Sequence, residues 1–350
     1  MCSSIRLPRV RFRGALAVVC SCVTFAACTA QRQPPGGRSA RIAAGVSAKR
    51  AAAGDLHVKP RLRREDRAPA NAGRTKARTY YRNNVVVLTY HDVARRVPAG
   101  TDTVSPAQFA AHIARLQHDG FHFISLSELQ AFLSKGTAVP PNAVCLVFDN
   151  GYRGIYRYAF PLLRRQRIPA AVFLIVSYVD RLRNDLTWRE IATMSHSGVF
   201  RFGTETYNLH RAVVIDAAGD TTAATVGRAL LADGRRETLA SYRQRVLSDL
   251  IRARRIVEAK TGRSVNAMVY PYGQYRPALV SLAHKAGYRY LFTTLGWAIT
   301  PGANPSLLPR LDVGVWNETP SKVVNAILTV VNDAGRDSYR PPVRYAPVWK

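Results

Sequence analysis

Five stretches of this sequence place acids, imidazoles, an amide or a tight turn directly after an apolar run, where a strand would end. "VVVLTYHDV" closes on His91 and Asp92, and "AVCLVFDNGY" closes on Asp149 and Asn150. "FRFGTETYNLH" carries Glu205 and His210, "NAMVYPYG" ends in a Pro-Tyr-Gly turn around Tyr272, and "LLPRLD" ends on Asp312. Carboxylates and imidazoles move protons near neutral pH. Together with an amide oxygen they are also the donors that hold a divalent ion. The chemistry open to such a set is general acid–base hydrolysis, with or without a metal. Singly, each group has a plainer explanation: Asp-Asn-Gly and Pro-Tyr-Gly are turn signals, and a lone histidine at a strand end usually serves a structural hydrogen bond. Their joint placement on successive strand ends gives them weight.

The intervening pattern alternates strands and helices from Asn84 onward. "VVVLTY", "FHFI", "AVCLVF", "AAVFLIV", "FRFG", "NAMVY" and "YLFTT" have the composition of strands. Ser105-Pro106 predicts a helix start, followed by Phe109, Ile113 and Leu116 at helical spacing. Ser127 with Gln130 predicts a capping box ahead of the next helix. A helix over residues 241–260 has its stripe at Val246, Leu250, Ala253 and Val257, with Gly262 ending it. Repeated strand–helix alternation predicts an α/β fold on a parallel sheet, either open or closed as an incomplete or distorted (β/α) barrel. In both forms the strand ends named above converge on one mouth.

Of the 350 residues 47% are apolar, which suffices for one large core, and the formal net charge is +29. Such an excess attracts polyanions, and compartment decides which. Residues 1–13 carry four arginines and no acid, and "GALAVVCSCVTFAA" before Cys28 is a short apolar run. This pattern predicts an export signal over residues 1–27, with Cys28 as a lipidation site; plain secretion and a retained membrane anchor are the alternatives. Export removes nucleic acid from the expected partners. Residues 29–83 hold fourteen Lys and Arg against three Asp and Glu, with no sustained apolar period. Residues 28–83 are therefore expected to be a disordered basic tether for anionic lipid or wall polymer, or a solubilising spacer. The folded domain is expected over residues 84–333 and a tail over 334–350. Cys145, within "AVCLVF", reads as a buried small hydrophobe.

In order and spacing, "VLTYHDV", "CLVFDNGYRGIY", "FGTETYNLH" and "VYPYGQY" resemble the signatures of NodB-type polysaccharide deacetylases, carbohydrate esterase family four. The likeness is greatest to the circularly permuted branch that deacetylates poly-β-1,6-N-acetylglucosamine in biofilm matrix, several of whose members are exported lipoproteins or surface proteins. It extends over about residues 84–328; the four blocks are specific together and none suffices alone. The resemblance implies that Asp149 is the general base, that His91 is the general acid, and that the backbone N–H of Tyr272 faces the oxyanion. It implies metal-ligand positions at Asn150, Glu205 and His210, where the family pattern has Asp, His and His. An arginine that the family carries near the Pro-Tyr-Gly turn has no counterpart at Val269 or Tyr270. Asp312 and Trp316 fall where a further family block would lie. Trp316 and Trp188 are candidates for stacking on sugar or for core packing.

Asp-His-His and Asn-Glu-His carry the same net charge, so the two substitutions read as an exchange that favours a harder ion such as manganese over zinc. They also read as erosion of the site, leaving a catalytically silent glycan-binding or scaffold module. Under either reading the expected partner is a polysaccharide at the cell envelope.

Overall fold

The computed structural model describes residues 78–334. The expected export signal, Cys28, residues 28–77 of the tether and the tail beyond Ala334 lie outside the described residues. In chain order the elements begin with β1 (Val85–Tyr90), β2 (Asp92–Val93), β3 (Thr103–Val104), α1 (Pro106–His118), β4 (His122–Phe123) and α2 (Leu126–Lys135). Next come β5 (Ala143–Asn150), α3 (Phe160–Gln166), β6 (Ala170–Ile175), α4 (Trp188–His196), β7 (Phe200–Thr206) and the hairpin β8 (Ala212–Val214) and β9 (Thr221–Ala223). The last are α5 (Leu239–Thr261), β10 (Ala267–Val269), α6 (Pro277–Lys285), β11 (Tyr290–Phe292), β12 (Leu311–Asp312) and α7 (Pro320–Ala334).

The main sheet runs β11-β10-β7-β6-β5-β1-β12, with β4 on β5, and every pairing in it is parallel. Its central strands are buried on both faces, which is why they read as unbroken apolar runs. One row, including Val86, Leu88, Tyr90, Val144, Leu146 and Phe148, packs beneath the helices. The other, including Val85, Val87, Cys145, Val147, Phe173 and Phe292, packs with Leu126, Leu129 and Phe132 of α2. Leu308 bridges Phe292 of β11, and Leu311 pairs with Leu88 of β1. One stretch of chain therefore spans the gap between the sheet's two sides. The fold is a parallel-strand, incomplete barrel surrounded by helices.

Three local expectations shift. The capping box of α2 is Ser125 with Glu128, two residues earlier than expected, which brings Leu126 into the first turn and buries it. The segment after β5 opens as a π-turn over Ile155–Ala159 before α3. Ordered structure also begins before Asn84. Tyr81 is buried with its hydroxyl donating to the Ala143 carbonyl, and the Asn142 amide oxygen accepts from the N–H groups of Tyr80 and Tyr81. Residues 80–82 thus belong to the folded body, because a buried aromatic ring and a doubly used amide fix them.

Candidate active site

A cavity of about 590 Å³ opens at the C-terminal strand ends. It is lined by His91, Asp149, Asn150, Glu205, His210 and Tyr272, together with Asp92, Arg310, Asp312 and the loop from Gly100 to Thr103. Each strand delivers its own contribution. β5 ends on Asp149 and Asn150, β7 carries Glu205 near its end, and the turn after β10 carries Tyr272.

Asp149 is buried at 4% exposure, and Nη1 of Arg310, itself 3% exposed, lies 2.8 Å from each of its oxygens. Nε of Arg310 donates to the Thr293 carbonyl at 2.9 Å, so the cation is fixed from behind. A buried carboxylate without such a partner would take up a proton instead. Arg310 is the residue that sequence reasoning missed. It was sought near the Pro-Tyr-Gly turn, whereas it stands in "LLPRLD", two residues before Asp312.

Glu205 is 2% exposed, and its Oε1 lies 3.3 Å from Nε2 of His210. Oε2 is buried and meets no hydrogen-bond partner in the protein. Burial pushes the Glu205 carboxyl above its ordinary range, with His210 offsetting part of the rise. Burial works against a charged His210, but the hydrogen bond and charge of Glu205 outweigh it and raise the imidazole. The Tyr272 ring lies against His210, tilted by 35° with 4.4 Å between centroids. Tyr272 itself sits at φ 57°, a left-handed conformation that a bulky residue keeps only where its surroundings impose it. Gly273 follows at φ 67°, where a Cβ would meet Oγ1 of Thr294 at 2.0 Å, so no side chain fits there.

His91 lines the cavity with Nδ1 buried and unpartnered in the protein, close enough to Asp312 for the two charges to interact. Asp312 also accepts from the Gly314 N–H at 3.2 Å. Asn150 adopts φ 68°, which asparagine tolerates better than most residues, so the Asn-Gly pair also serves as a turn. Beside this mouth, burial and the neighbouring Asp92 raise Asp185 to about 6. Trp316 is 42% exposed and its N–H donates to Thr101 of the cavity loop. Trp188 does not line the cavity. It opens α4, packs against the core and stacks near Lys260, which makes it a packing residue rather than a sugar platform.

The donor set does not fit a three-ligand metal centre. Glu205 and His210 converge, but the amide nitrogen of Asn150 lies 3.4 Å from the Tyr152 hydroxyl. No three His, Cys, Asp or Glu side chains among the described residues are grouped to hold an ion. Both oxygens of Asp149 are committed to Arg310. Asn150 brings a neutral amide where the family pattern has a carboxylate, which weakens the third position.

Residues 136–291 match the family model for polysaccharide deacetylase. That stretch is similar to polysaccharide deacetylases. The chain is 26% identical over 264 residues to the poly-beta-1,6-N-acetyl-D-glucosamine N-deacetylase of Escherichia coli K12, covering 71% of this chain and 39% of that protein. The chain thus spans well under half the length of that relative. Against the enzyme of the same name from Staphylococcus aureus MSSA476 it is 24% identical, covering 70% of this chain and 83% of that protein. Among solved structures, a de-N-acetylase from Aggregatibacter actinomycetemcomitans superimposes with a TM-score of 0.63 at 25% identity, covering 70% of this chain and all of that one. The deacetylase domain of BpsB from Bordetella bronchiseptica gives 0.58 at 26% identity, covering 66% and 96%. Among the described residues no helix is long and apolar enough to cross a membrane.

Proposed function

We propose that the protein hydrolyses N-acetyl groups of an N-acetylglucosamine polysaccharide. The observation that carries this reading is the buried Asp149, paired through both oxygens with Arg310 inside a cavity that also presents His91. A water beside Asp149 gives up its proton as it attacks the amide carbon. His91 then protonates the departing amine, and positioned acids and bases of this kind contribute roughly 10²–10⁴-fold each. In this reading the backbone N–H of Tyr272 faces the developing oxyanion charge. No step is assigned to a divalent ion, since the donor set does not fit one.

The relatives' substrate, poly-β-1,6-linked N-acetylglucosamine, is the polymer proposed here, with Trp316 at the rim for stacking on a sugar face. Attachment to the cell envelope through Cys28, and to anionic lipid or wall polymer through the basic tether, is proposed from the sequence pattern alone. The test is acetate release from β-1,6- and β-1,4-linked N-acetylglucosamine oligomers. Faster release from the β-1,6 series supports the reading. Saturable oligomer binding with no acetate released under any supplied divalent ion supports instead the silent module that Asn150 favours.

A further inference from the structure

A second cavity, of about 380 Å³, lies at the opposite end of the same strands. It is lined by Arg201 of β7, Ser127 and Gln130 of α2, and Arg263, Ser264 and Asn266 of the loop leading into β10, among others. No lining residue is acidic. Arg201 stands in register with Ala171, near the other end of β7 from Glu205. Its Nη1 is closed off from solvent and meets no hydrogen-bond acceptor in the protein. Burial and the like charge of Arg263 both push the Arg201 guanidinium below its ordinary pKa.

Two cations facing one cavity without an acidic lining residue is an unfavourable arrangement, and a buried donor left unpaired adds to the cost. An oxyanion relieves both at once. The guanidinium fork matches phosphate oxygens in pairs, and the Ser127 and Ser264 hydroxyls offer further donors. Gln130 already donates to Asn266 at 2.9 Å, which braces that side of the cavity. Nothing in the proposed deacetylation uses these residues. We propose that this cavity is a binding site for a phosphate group, with space for the sugar or polyol that bears it.

Full-length protein titrated calorimetrically with inorganic phosphate and with glycerol 3-phosphate, at low ionic strength, tests the site. Saturable binding is expected, weakened at least tenfold by Arg201→Gln and by Arg263→Glu. Arg165→Gln, an exposed cation on α3, is expected to leave it unchanged. Arg263 is exposed, so its variant reports even where Arg201→Gln fails to fold. Tighter binding of the ester identifies a phosphorylated sugar or polyol, equal binding identifies free phosphate, and both sustain the site. Absence of saturable binding, or equal binding by wild type and Arg263→Glu, overturns it and leaves the cavity to water.

Discussion

Strand β7 carries Arg201 near one end and Glu205 near the other, with Gly203 between them and a shift of register at Glu205. Each ends in a buried atom without a partner, Nη1 at the bottom and Oε2 at the top. At the top three acids have an answering group, Glu205 beside His210, Asp149 beside Arg310 and Asp312 near His91, while Asp92 and Asp185 form a like-charged pair beside them. At the bottom Arg201 faces only Arg263. Gly203 keeps the two ends apart, since a Cβ there would strike the Phe173 ring at 2.5 Å, so that ring fills the level between them. The difference teaches that an unpaired buried atom has two meanings. Beside an opposite charge it belongs to an ion pair; beside a like charge it calls for something from outside.

Removing a cation separates the two ends most sharply at Arg310. Arg310→Leu leaves Asp149 buried without its ion-pair partner and is expected to lower stability by about 3–5 kcal/mol in urea unfolding, with activity lost as the carboxyl loses its anchor. The next effect concerns the ligand positions. Asn150→Asp combined with Glu205→His restores three converging donors and is expected to raise zinc affinity at least tenfold, more than the single changes predict together. Competition with a chromogenic chelator reads it, and additive single effects would show that the two positions are uncoupled.

Smaller again is the carboxylate pair at the mouth. Asp185 rises from 3.8 to about 6 on folding, so its charge destabilises the fold fully above pH 6 and not at all well below 4. Asp185→Asn is therefore expected to gain about 1 kcal/mol at pH 8, with the gain vanishing toward pH 4 in melting curves. Smallest is the bottom-end counterpart. Arg263→Leu relieves like-charge repulsion and is expected to stabilise by roughly a few tenths of a kcal/mol at low salt, opposite in sign to Arg310→Leu.

The sheet was legible because parallel strands buried on both faces must be continuously apolar, as "VVVLTY" and "AVCLVF" are. The strand-end residues were legible for the same reason: the apolar run stops where the cavity begins. Two serines two residues apart, each followed three later by a Glu or Gln, left the start of α2 ambiguous. Burial of Leu126 settles it in favour of Ser125. Arg310 was illegible because its partner Asp149 is 161 residues away, and only barrel closure brings them together. Arg201 was hidden likewise, since a charged residue inside "FRFG" reads as the solvent face of a strand. The altered ligand set was visible in sequence, but the turning of Asn150 toward Tyr152 was not.

The account's central claim is that Asp149, paired with Arg310, is the base of an amide hydrolysis. The most direct measurement is acetate release from a β-1,6-linked N-acetylglucosamine oligomer by wild type and by Asp149→Asn, with oligomer affinity measured on both. The account predicts release by wild type, at least a hundredfold slower release by the variant, and affinities within about threefold of each other. Equal release by the two proteins, or a loss of release matched by an equal loss of binding, would contradict it.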